Sequence, residues 1–241
     1  MDKDVKILCT ICARGGSQGV PGKNIRKIQG KPLICYTIEM AKKVSRFTKV
    51  IVSTDSAEIA EISKKAGADV PFIRPYEMAT ATVSKFPALR HAVSTSEDFY
   101  KVEFDYIVDL DPTSPLRNIQ DIDNCIDLVL KDSVSNVITA MKSRRSPYFN
   151  LVEKDHNDRV MISKTIHPAP TCRQDSPQCY DMNASIYAWK KHVLMNNEIP
   201  IFLDDTELYV MPEERSIDID SELDMAFVEY LVKKKSEDIN L

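Results

Sequence analysis

Long hydrophobic runs are absent from this chain of 241 residues. No stretch of about eighteen apolar residues occurs, so the sequence predicts no transmembrane helix and no membrane partner. Residues 1–4 lack the basic and apolar regions of a secretory signal, which favours a cytoplasmic protein. Apolar residues make up 43% and charged residues 28% of the chain, a balance that excludes a disordered or collagen-like protein.

An excess of positive charge is absent as well. Lys and Arg number 32 against 36 Asp and Glu, which gives a formal net charge of -4. General nucleic-acid binding depends on a basic surface, so we expect no nucleic-acid partner. This balance still allows a local basic pocket for phosphate.

Histidine and paired cysteine, the usual groups of nucleophile and metal sites, are sparse. The four histidines lie in no recognisable nucleophile setting. The six cysteines show no metal-site spacing, and a cytoplasmic chain keeps them as thiols. Cys9 and Cys12 form a C-x-x-C pair within a predicted strand, where side chains three positions apart point to opposite faces. We therefore interpret them as core residues.

Strand and helix patterns alternate along most of the chain. The patterns predict strands over 5–12, 49–54, 70–73, 105–110, 134–141, 184–189 and 208–211, and helices over 32–45, 55–67, 85–100, 121–131 and 221–235. Such alternation indicates an α/β fold with a mostly parallel, Rossmann-like sheet flanked by helices, in a single domain over 1–241. The carboxyl ends of the strands then share one edge, where the active crevice is expected.

The alternation stops between residues 142 and 180. Helical periodicity disappears there, and short extended pieces over 148–152 and 159–163 alternate with Pro, Asn, Asp and Thr. We interpret this segment as a small antiparallel excursion from the main sheet, and not as a separate domain.

The loop after the first strand is the most informative feature for chemistry. Gly15, Gly16 and Gly19 allow a close approach of backbone N–H groups to an anion, and Arg14 and Lys23 add fixed positive charge. Ser17, Asn24 and Arg26 belong to the same loop. These parts fit a triphosphate, although the spacing matches neither G-x-x-x-x-G-K-[ST] nor G-x-G-x-x-G. The alternative interpretation is a flexible surface turn.

Paired carboxylates form the second candidate site. Asp218 and Asp220 stand two residues apart in a segment predicted to be extended, so both point the same way. Two oxygen ligands on one face suit Mg²⁺, with waters and phosphates completing its octahedron. The alternative is a solvated edge on which Asp220 caps a helix. Asp109 and Asp111 repeat the spacing at the end of a strand, and Asp111 is the one expected to reach the metal or a substrate hydroxyl.

Polar residues near the end of the excursion form the third candidate. An arginine fork at Arg173 can bind a carboxylate, and the neighbouring Gln174, Tyr180 and Asn183 can bind hydroxyls. Ordinary surface polarity explains these residues equally well.

Several motifs, in order, resemble those of the sugar-acid cytidylyltransferases. The similar segments are residues 13–17, 21–24, 52–55, 72–75, 112–117 and 216–224, which together span almost the whole chain. The family includes the CMP-N-acetylneuraminate synthetases and relatives that act on legionaminic and other nonulosonic acids. The resemblance implies a nucleotide-diphospho-sugar transferase sheet and a reaction of CTP with an acidic nine-carbon ketose.

The resemblance also implies roles for residues. Arg14, Gly15, Gly16, Ser17, Lys23, Asn24, Arg74 and Ser84 would bind the nucleotide, and Asp218 and Asp220 would bind Mg²⁺. Arg14, Lys23, Asp218 and Asp220 would be the catalytic set. Asp111, Arg173, Gln174, Tyr180 and Asn183 would form the sugar-acid pocket. The resemblance further implies a homodimer, in which the excursion over 142–180 is the dimerisation arm.

Three positions depart from the family pattern. Gln18 replaces a usual lysine, Asp111 replaces a glutamine typical of sialic-acid synthetases, and Ala81 replaces a frequent aspartate. Asp111 and the segments 148–151 and 180–185 favour the legionaminic-type branch. The alternatives are a CMP-N-acetylneuraminate synthetase proper, a related transferase that uses another nucleotide, and a non-catalytic nucleotide-binding protein.

Overall fold

A computed structural model describes residues 5–17, 19–80, 83–196, 198 and 201–239 of the chain. Gln18 and Ala81, two of the departures from the family pattern, lie outside these described residues. The described part contains a six-stranded central sheet and two small two-stranded sheets.

The strands and helices follow one another in the predicted alternation. The strands are β1 (Ile7–Cys12), β2 (Lys27–Ile28), β3 (Lys31–Pro32), β4 (Lys49–Ser53), β5 (Tyr106–Leu110), β6 (Asn136–Lys142), β7 (Val152–Lys154), β8 (Val160–Ile162), β9 (Tyr180–Lys190) and β10 (Thr206–Val210). The α-helices are α1 (Leu33–Ala41), α2 (Ala57–Lys65), α3 (Lys85–Tyr100), α4 (Ile119–Val129), α5 (Lys191–Met195) and α6 (Glu222–Ile239).

The central sheet has the strand order β10-β6-β9-β5-β1-β4. β1 pairs in parallel with β4 and β5, and β10 pairs in parallel with β6. β9 runs antiparallel between β5 and β6. The prediction of a mostly parallel sheet flanked by helices is confirmed.

Both faces of the sheet are covered by helices, which explains its apolar strands. On one face, Cys9 and Ile11 of β1 pack in a core that includes Ile38 of α1 and Ile126 of α4. On the other face, Leu8 packs in a core with residues of α3 and α5. The alternation along β1 therefore buries successive side chains on opposite faces. Cys9 is a buried core thiol, as predicted, and all six cysteines are free.

The predicted strand over 70–73 is wrong. Only Asp69 forms a bridge there, with Ile51, and the chain that follows is irregular. Pro71 and Pro75 lack the N–H groups that a strand ladder needs, which explains the interruption. The backbone N–H of Arg74 instead donates to the carbonyl of Thr54 at 2.8 Å, and this bond carries Arg74 to the carboxyl edge of the sheet.

Several predicted boundaries also shift. β9 begins at Tyr180, four residues before the predicted strand, and Ala184 within it has a left-handed φ of 51°. The pairing of β9 with β6 changes register beside this residue. The shift amounts to three residues, because Ile138 pairs with Tyr187 whereas Ala140 pairs with Met182. An odd shift breaks the alternation of side chains, so the sequence pattern revealed only the second half of the strand.

The segment after β6 leaves the central sheet. It contains the exposed antiparallel pair β7 and β8 in place of the two predicted extended pieces, and residues 147–150 form a turn. Among the described residues, no helix is long and apolar enough to cross a membrane.

Candidate active site

A cavity of about 330 Å³ opens at the carboxyl edge of the central sheet. Its wall comes from the loop after β1, the start of α3, the loop after β5 and the segment before α6. Nine residues predicted for the site line it: Arg14, Ser17, Lys23, Asn24, Arg74, Ser84, Asp111, Asp218 and Asp220. The structure therefore brings the predicted nucleotide residues and the carboxylate pair into one place.

The loop after β1, residues 14–24, is the glycine loop, and hydrogen bonds hold both of its ends. The backbone N–H of Gly15 donates to Asp55 Oδ1 at 2.9 Å, and Asn24 Nδ2 donates to the carbonyl of Arg14 at 3.0 Å. Arg14 in turn donates to the carbonyl of Thr80 at 3.1 Å. The described residues of this loop are thus tied to the rim of the cavity.

Glycine is required at position 19 because the glycine loop there meets residues 216–220, the carboxylate segment that carries Asp218 and Asp220. A Cβ placed on Gly19 would lie 2.2 Å from the backbone oxygen of Asp220, a distance that no real side chain tolerates. Lys23 also holds the glycine loop against this segment. Its ammonium donates to the carbonyl of Ile219 and lies 3.2 Å from Asp220 Oδ1. The glycine loop and the carboxylate segment are therefore in direct contact.

Two buried polar atoms in the cavity wall have no hydrogen-bond partner. They are Asn24 Oδ1 and Arg74 Nε. Arg74 is 5% exposed, and its Nη2 lies 3.6 Å from Asp55 Oδ1. Because buried polar groups are normally satisfied, these atoms are suited to a polar ligand that enters the cavity.

Asp218 and Asp111 face each other across the hydroxyl of Thr113. Thr113 Oγ1 lies 2.8 Å from Asp111 Oδ1 and is also in contact with Asp218 Oδ1. Burial, followed by the charge of Asp111, raises the pKa of Asp218 to about 6. The one hydroxyl proton can donate to only one of the two carboxylates. Asp111 also accepts from the backbone N–H of Thr113 at 3.1 Å and pairs with Lys85.

A divalent cation fits this arrangement. Asp218 and Asp220 both line the cavity, and Asp220 is exposed there. No group of three or more His, Cys, Asp or Glu side chains with metal-binding geometry occurs in the described ranges. A pair of carboxylates, with waters and phosphates as the remaining ligands, is how proteins commonly hold Mg²⁺.

Lys85 is a cavity residue that the sequence analysis missed. Its Nζ lies 2.5 Å from Asp109 Oδ2 and 3.0 Å from Asp111 Oδ2. Burial would lower the pKa of Lys85, but the two carboxylates raise it well above its usual value. A fully buried strand aspartate such as Asp109 signals that a cation lies nearby, yet nothing in the spacing identifies a lysine 24 positions earlier.

Asp111 is held as an anion. Burial alone would raise its pKa, but Lys85 and the backbone and hydroxyl of Thr113 hold the pKa below its usual value. Arg117 supports the same loop from beneath, because its buried guanidinium donates to the backbone carbonyl of Asp111 and to Ser185 Oγ. Burial lowers the pKa of Arg117 to about 10, so the group remains charged at neutral pH.

The carboxylate segment is anchored by a second buried pair. Arg215 Nε and Nη2 each donate to the carboxylate of Asp121 at 2.9 Å. Asp121 is fully buried at the start of α4, where it also accepts from the hydroxyl of Tyr209 at 3.1 Å. This contact fixes the chain three residues before Asp218.

Four residues predicted for the sugar pocket do not line the cavity within this chain. Asn183 is buried and accepts from Thr139 Oγ1 at 2.6 Å, and Arg173 donates to the carbonyl of Ser143. Gln174 is exposed in a short 3-10 helix, and Tyr180 begins β9 beside Lys142. Their roles in sugar binding stay predictions.

Gly15 and Gly16 lie in the loop but not among the residues that line the cavity. Cys12 lines its floor, and burial with the nearby charge of Asp109 raises the pKa of its thiol to about 12. The histidines take no part: His91, for example, packs edge-on against Phe72 with ring centroids 5.0 Å apart.

A family model described as Cytidylyltransferase matches residues 8–227 of the chain. Post-translational flagellin modification protein B of Campylobacter coli is 45% identical over 231 residues, which cover 96% of this chain and 97% of the relative. The CMP-N,N'-diacetyllegionaminic acid synthase of Campylobacter jejuni is likewise 45% identical over 231 residues, with the same 96% and 97% coverage.

Among solved structures, the fold is similar to that of a CMP:2-keto-3-deoxy-manno-octonic acid synthetase complexed with CTP. The TM-score is 0.70 and the sequence identity 19%, over 95% of this chain and 99% of that one. This likeness shows the shared fold.

Proposed function

The chain belongs to the cytidylyltransferase family, and on that basis we propose that it transfers the cytidylyl group of CTP to an acidic nine-carbon 2-keto sugar. The products are a CMP-sugar and pyrophosphate. One observation carries the proposal: a loop built for phosphate and a pair of carboxylates meet in one cavity, joined through Lys23 and Asp220. A nucleotide triphosphate with its metal requires this combination.

The reaction forms one P–O bond, breaks another and releases a proton. The oxygen of the sugar's anomeric 2-hydroxyl attacks the α-phosphorus of CTP, and the bond from that phosphorus to the bridging oxygen breaks. The bridging oxygen leaves with pyrophosphate, and the hydroxyl proton is released to solvent. No covalent enzyme intermediate is needed, so catalysis consists of positioning and electrostatic stabilisation.

The nucleotide side of the cavity is cationic. Arg14, Lys23 and Arg74 bring three positive charges to its wall, and the unpartnered Asn24 Oδ1 offers an acceptor to the nucleoside. Ser17 and Ser84 line the same side of the cavity, and Gly15 and Gly16 belong to the proposed nucleotide site as part of the loop, the N–H of Gly15 donating to Asp55. Fixed cations stabilise the charge that develops on the leaving pyrophosphate.

Asp218 and Asp220 are the proposed ligands of Mg²⁺. When bound, the ion supplies Lewis-acid stabilisation of the phosphate oxygens. The carboxylates themselves orient the segment that Lys23 joins to the glycine loop. Arg215, through its pairing with Asp121, holds this segment in place.

A legionaminic-type acid is the proposed sugar. The support is the 45% identity to a relative named for CMP-N,N'-diacetyllegionaminic acid synthesis, together with Asp111 where sialic-acid synthetases typically have glutamine. Because Lys85 and Thr113 lower the pKa of Asp111, its carboxylate is ionised at neutral pH and accepts hydrogen bonds without donating any. N-acetylneuraminate is the alternative substrate.

The proposal includes a homodimer that acts in the cytoplasm, where CTP is available. Leu151, Val152, Val160 and Met161 of the excursion are all exposed in the single chain. Large apolar side chains exposed on a small antiparallel pair of strands are typical of an interaction surface. In a dimer the arm over 142–180 would carry Arg173 and Gln174 toward a neighbouring subunit. Sedimentation equilibrium tests this part, since a dimer has twice the monomer mass of 27.3 kDa.

Pyrophosphate release tests the activity. The enzyme is assayed with CTP and Mg²⁺ on N,N'-diacetyllegionaminate and N-acetylneuraminate side by side, and then with UTP, GTP or ATP in place of CTP. We expect the highest kcat/KM with CTP and the legionaminate. Equal or faster turnover with another nucleotide would contradict the assignment of CTP.

A further inference from the structure

Lys85 stands apart from the other cations of the cavity. Among the described residues that line it, the cationic side chains are Arg14, Lys23, Arg74 and Lys85. The first three belong to the glycine loop or the segment beside Asp55, where the nucleotide is proposed to bind. Lys85, at the first turn of α3, instead contacts the carboxylates of β5 and its loop. It therefore lies beside Asp111, on the side proposed for the sugar.

The ammonium of Lys85 has a hydrogen-bond donor to spare. It carries three N–H bonds. One donates to Asp111 Oδ2, and the ion pair with Asp109 Oδ2 takes at most one more. The Lys85 side chain is 29% exposed and lines the cavity, so it is open to a ligand. The ring of Tyr187 lies 5.9 Å from Nζ and limits the directions in which the ammonium can move.

Two of the charges around Lys85 are buried. Asp109 is fully buried and does not line the cavity, so its charge acts from behind the ammonium. The buried guanidinium of Arg117, which contacts the backbone of Asp111, adds a second cation to the group. These two cations offset the charges of Asp109 and Asp111, and the third carboxylate nearby, Asp218, is a proposed ligand of the metal.

A continuous chain of contacts links Lys85 to the proposed metal ligand. Lys85 contacts Asp111, Asp111 contacts Thr113, and Thr113 contacts Asp218. In a 2-keto sugar acid, the carboxylate and the attacking 2-hydroxyl are bonded to the same carbon. When the sugar's 2-hydroxyl lies beside Asp218 for attack, the sugar's own carboxylate therefore lies close to Thr113, Asp111 and Lys85.

We propose that Lys85 binds the carboxylate of the acidic sugar through its free N–H, and so selects sugar acids over uncharged sugars. The inference rests on the proposed function and adds to it a substrate-binding residue. Asp109 is then a positioning residue, because it fixes the ammonium from the buried side. Thr10 Oγ1 in turn donates to Asp109 Oδ1 at 2.8 Å, which fixes the carboxylate.

Replacing Lys85 with methionine tests the proposal. Lys85→Met keeps the length of the side chain and removes its charge, so we expect the KM for the sugar acid to rise on the order of 10- to 100-fold, the range for a charge-assisted hydrogen bond. The KM for CTP should change by less than about threefold, because the nucleotide cations are untouched. A rise in both KM values together would overturn the assignment.

A pair of inhibitors that differ in charge distinguishes substrate binding by Lys85 from a purely structural role. A structural role would leave the ratio of their Ki values unchanged in the variant. The unreactive 2-deoxy form of the sugar acid and its C1 carboxamide differ in charge but hardly in shape. In the wild-type enzyme we expect the acid to bind on the order of 10- to 100-fold more tightly, measured as Ki. In Lys85→Met this ratio should fall to about one, within the error of such measurements. An unchanged ratio in the variant, or no preference in the wild-type enzyme, would overturn the proposal.

Two further variants control for a loss of stability in Lys85→Met. Lys85→Met leaves Asp109 buried without its ion pair, which is destabilising, whereas Lys85→Met/Asp109→Asn removes both charges. Asp109→Asn alone removes the ion pair between Asp109 and Lys85 but keeps the charged Lys85 in the cavity. We expect the double variant to lose the Ki ratio and Asp109→Asn to keep it; the opposite pattern would overturn the role of Lys85.

Failure of the proposed function is distinguishable from failure of this inference. If the wild-type enzyme makes no CMP-sugar from any acidic nine-carbon sugar, the proposed function is overturned and the inference with it. If the wild-type enzyme makes the product but Lys85→Met keeps the Ki ratio, only the role of Lys85 is overturned.

Discussion

Lys23 and Asp220 form an ion pair across the mouth of the cavity, with Nζ 3.2 Å from Oδ1, although 197 positions separate them in sequence. The same ammonium donates to the carbonyl of Ile219. The glycine loop and the carboxylate segment are thereby joined at the site. Displacement of either one should disturb phosphate and metal binding together.

Gly19→Ala should impair turnover through the position of Asp220. The added Cβ would lie 2.2 Å from the backbone oxygen of Asp220, so the carboxylate segment must move. We expect kcat/KM to fall about 10- to 100-fold, since small displacements of positioned groups have effects of that size. Steady-state kinetics with varied Mg²⁺ measures this effect. Wild-type kinetics in the variant would contradict the coupling of the two segments.

Gly16→Ala is the matched control for the stability of the loop. A Cβ on Gly16 meets no atom within 4 Å, and Gly16 is not among the glycines with positive φ. Its melting temperature should therefore equal or exceed that of the wild-type protein, because alanine reduces the entropy of the unfolded chain. Gly19→Ala should melt at a lower temperature, with a loss of about 1–3 kcal/mol from the forced contact.

Asp218→Asn should separate activity from stability. Removal of the carboxylate should lower kcat by at least about 100-fold and abolish the dependence of the rate on Mg²⁺. Because burial raises the pKa of Asp218 to about 6, its ionised form disfavours folding above that pH. In EDTA at pH 7.5 the variant should therefore be as stable as the wild-type protein or more so. A large loss of stability there would contradict this account of Asp218.

Arg215→Gln should destabilise the protein. Asp121 is fully buried and loses both of its guanidinium bonds in this variant, so we expect a loss of about 3 kcal/mol in the free energy of unfolding. Arg144→Gln is the control, because Arg144 pairs with Glu213 in an exposed setting and should contribute less than about 1 kcal/mol. Urea unfolding measures both, and equal effects would contradict the anchoring role of Arg215.

Acid should destabilise the fold in part through His91. Burial, followed by the charge of Arg74, lowers the pKa of His91 below its usual value of 6.5. The unfolded chain then binds more protons at this residue than the folded chain, so stability is lost as pH falls below about 6.5 through the lowered pKa. In urea unfolding from pH 7.5 to 5, His91→Gln should lose less stability than the wild-type protein. Equal losses in the two proteins would contradict the assignment.

Asp111→Gln should change which sugar acid is preferred. A glutamine amide can donate as well as accept hydrogen bonds, whereas the ionised Asp111 only accepts them. We expect the ratio of kcat/KM for N,N'-diacetyllegionaminate over N-acetylneuraminate to fall about tenfold or more. Competition between the two acids in one reaction measures the ratio directly. An unchanged ratio would show that Asp111 does not determine specificity.

Much of the fold followed from periodicity, and the failures have local causes. β1, β5 and their flanking helices combine strong apolar patterns with clear ends, so their order and the parallel sheet were predictable. The strand expected over 70–73 failed because two prolines remove ladder donors. The first half of β9 was missed because the left-handed Ala184 interrupts the alternation of side chains.

The site was predictable where its residues share a motif and not where they meet only in space. The glycine loop and the pair Asp218 and Asp220 were visible as short patterns. Lys85 and Arg215 were not, because each pairs with a carboxylate that is far away in sequence and their partners become known only with the fold. The placement of Arg173 and Gln174 outside the cavity was equally hidden, since an irregular segment gives no periodicity from which a position can be derived.

Product analysis tests the proposed reaction itself. The wild-type enzyme is incubated with CTP, Mg²⁺ and N,N'-diacetyllegionaminate, and the products are identified by mass spectrometry. We expect an intact CMP-sugar formed in equal amount with pyrophosphate. Release of CMP and pyrophosphate without a CMP-sugar, or binding of CTP with no product from any acidic nine-carbon sugar, would contradict it.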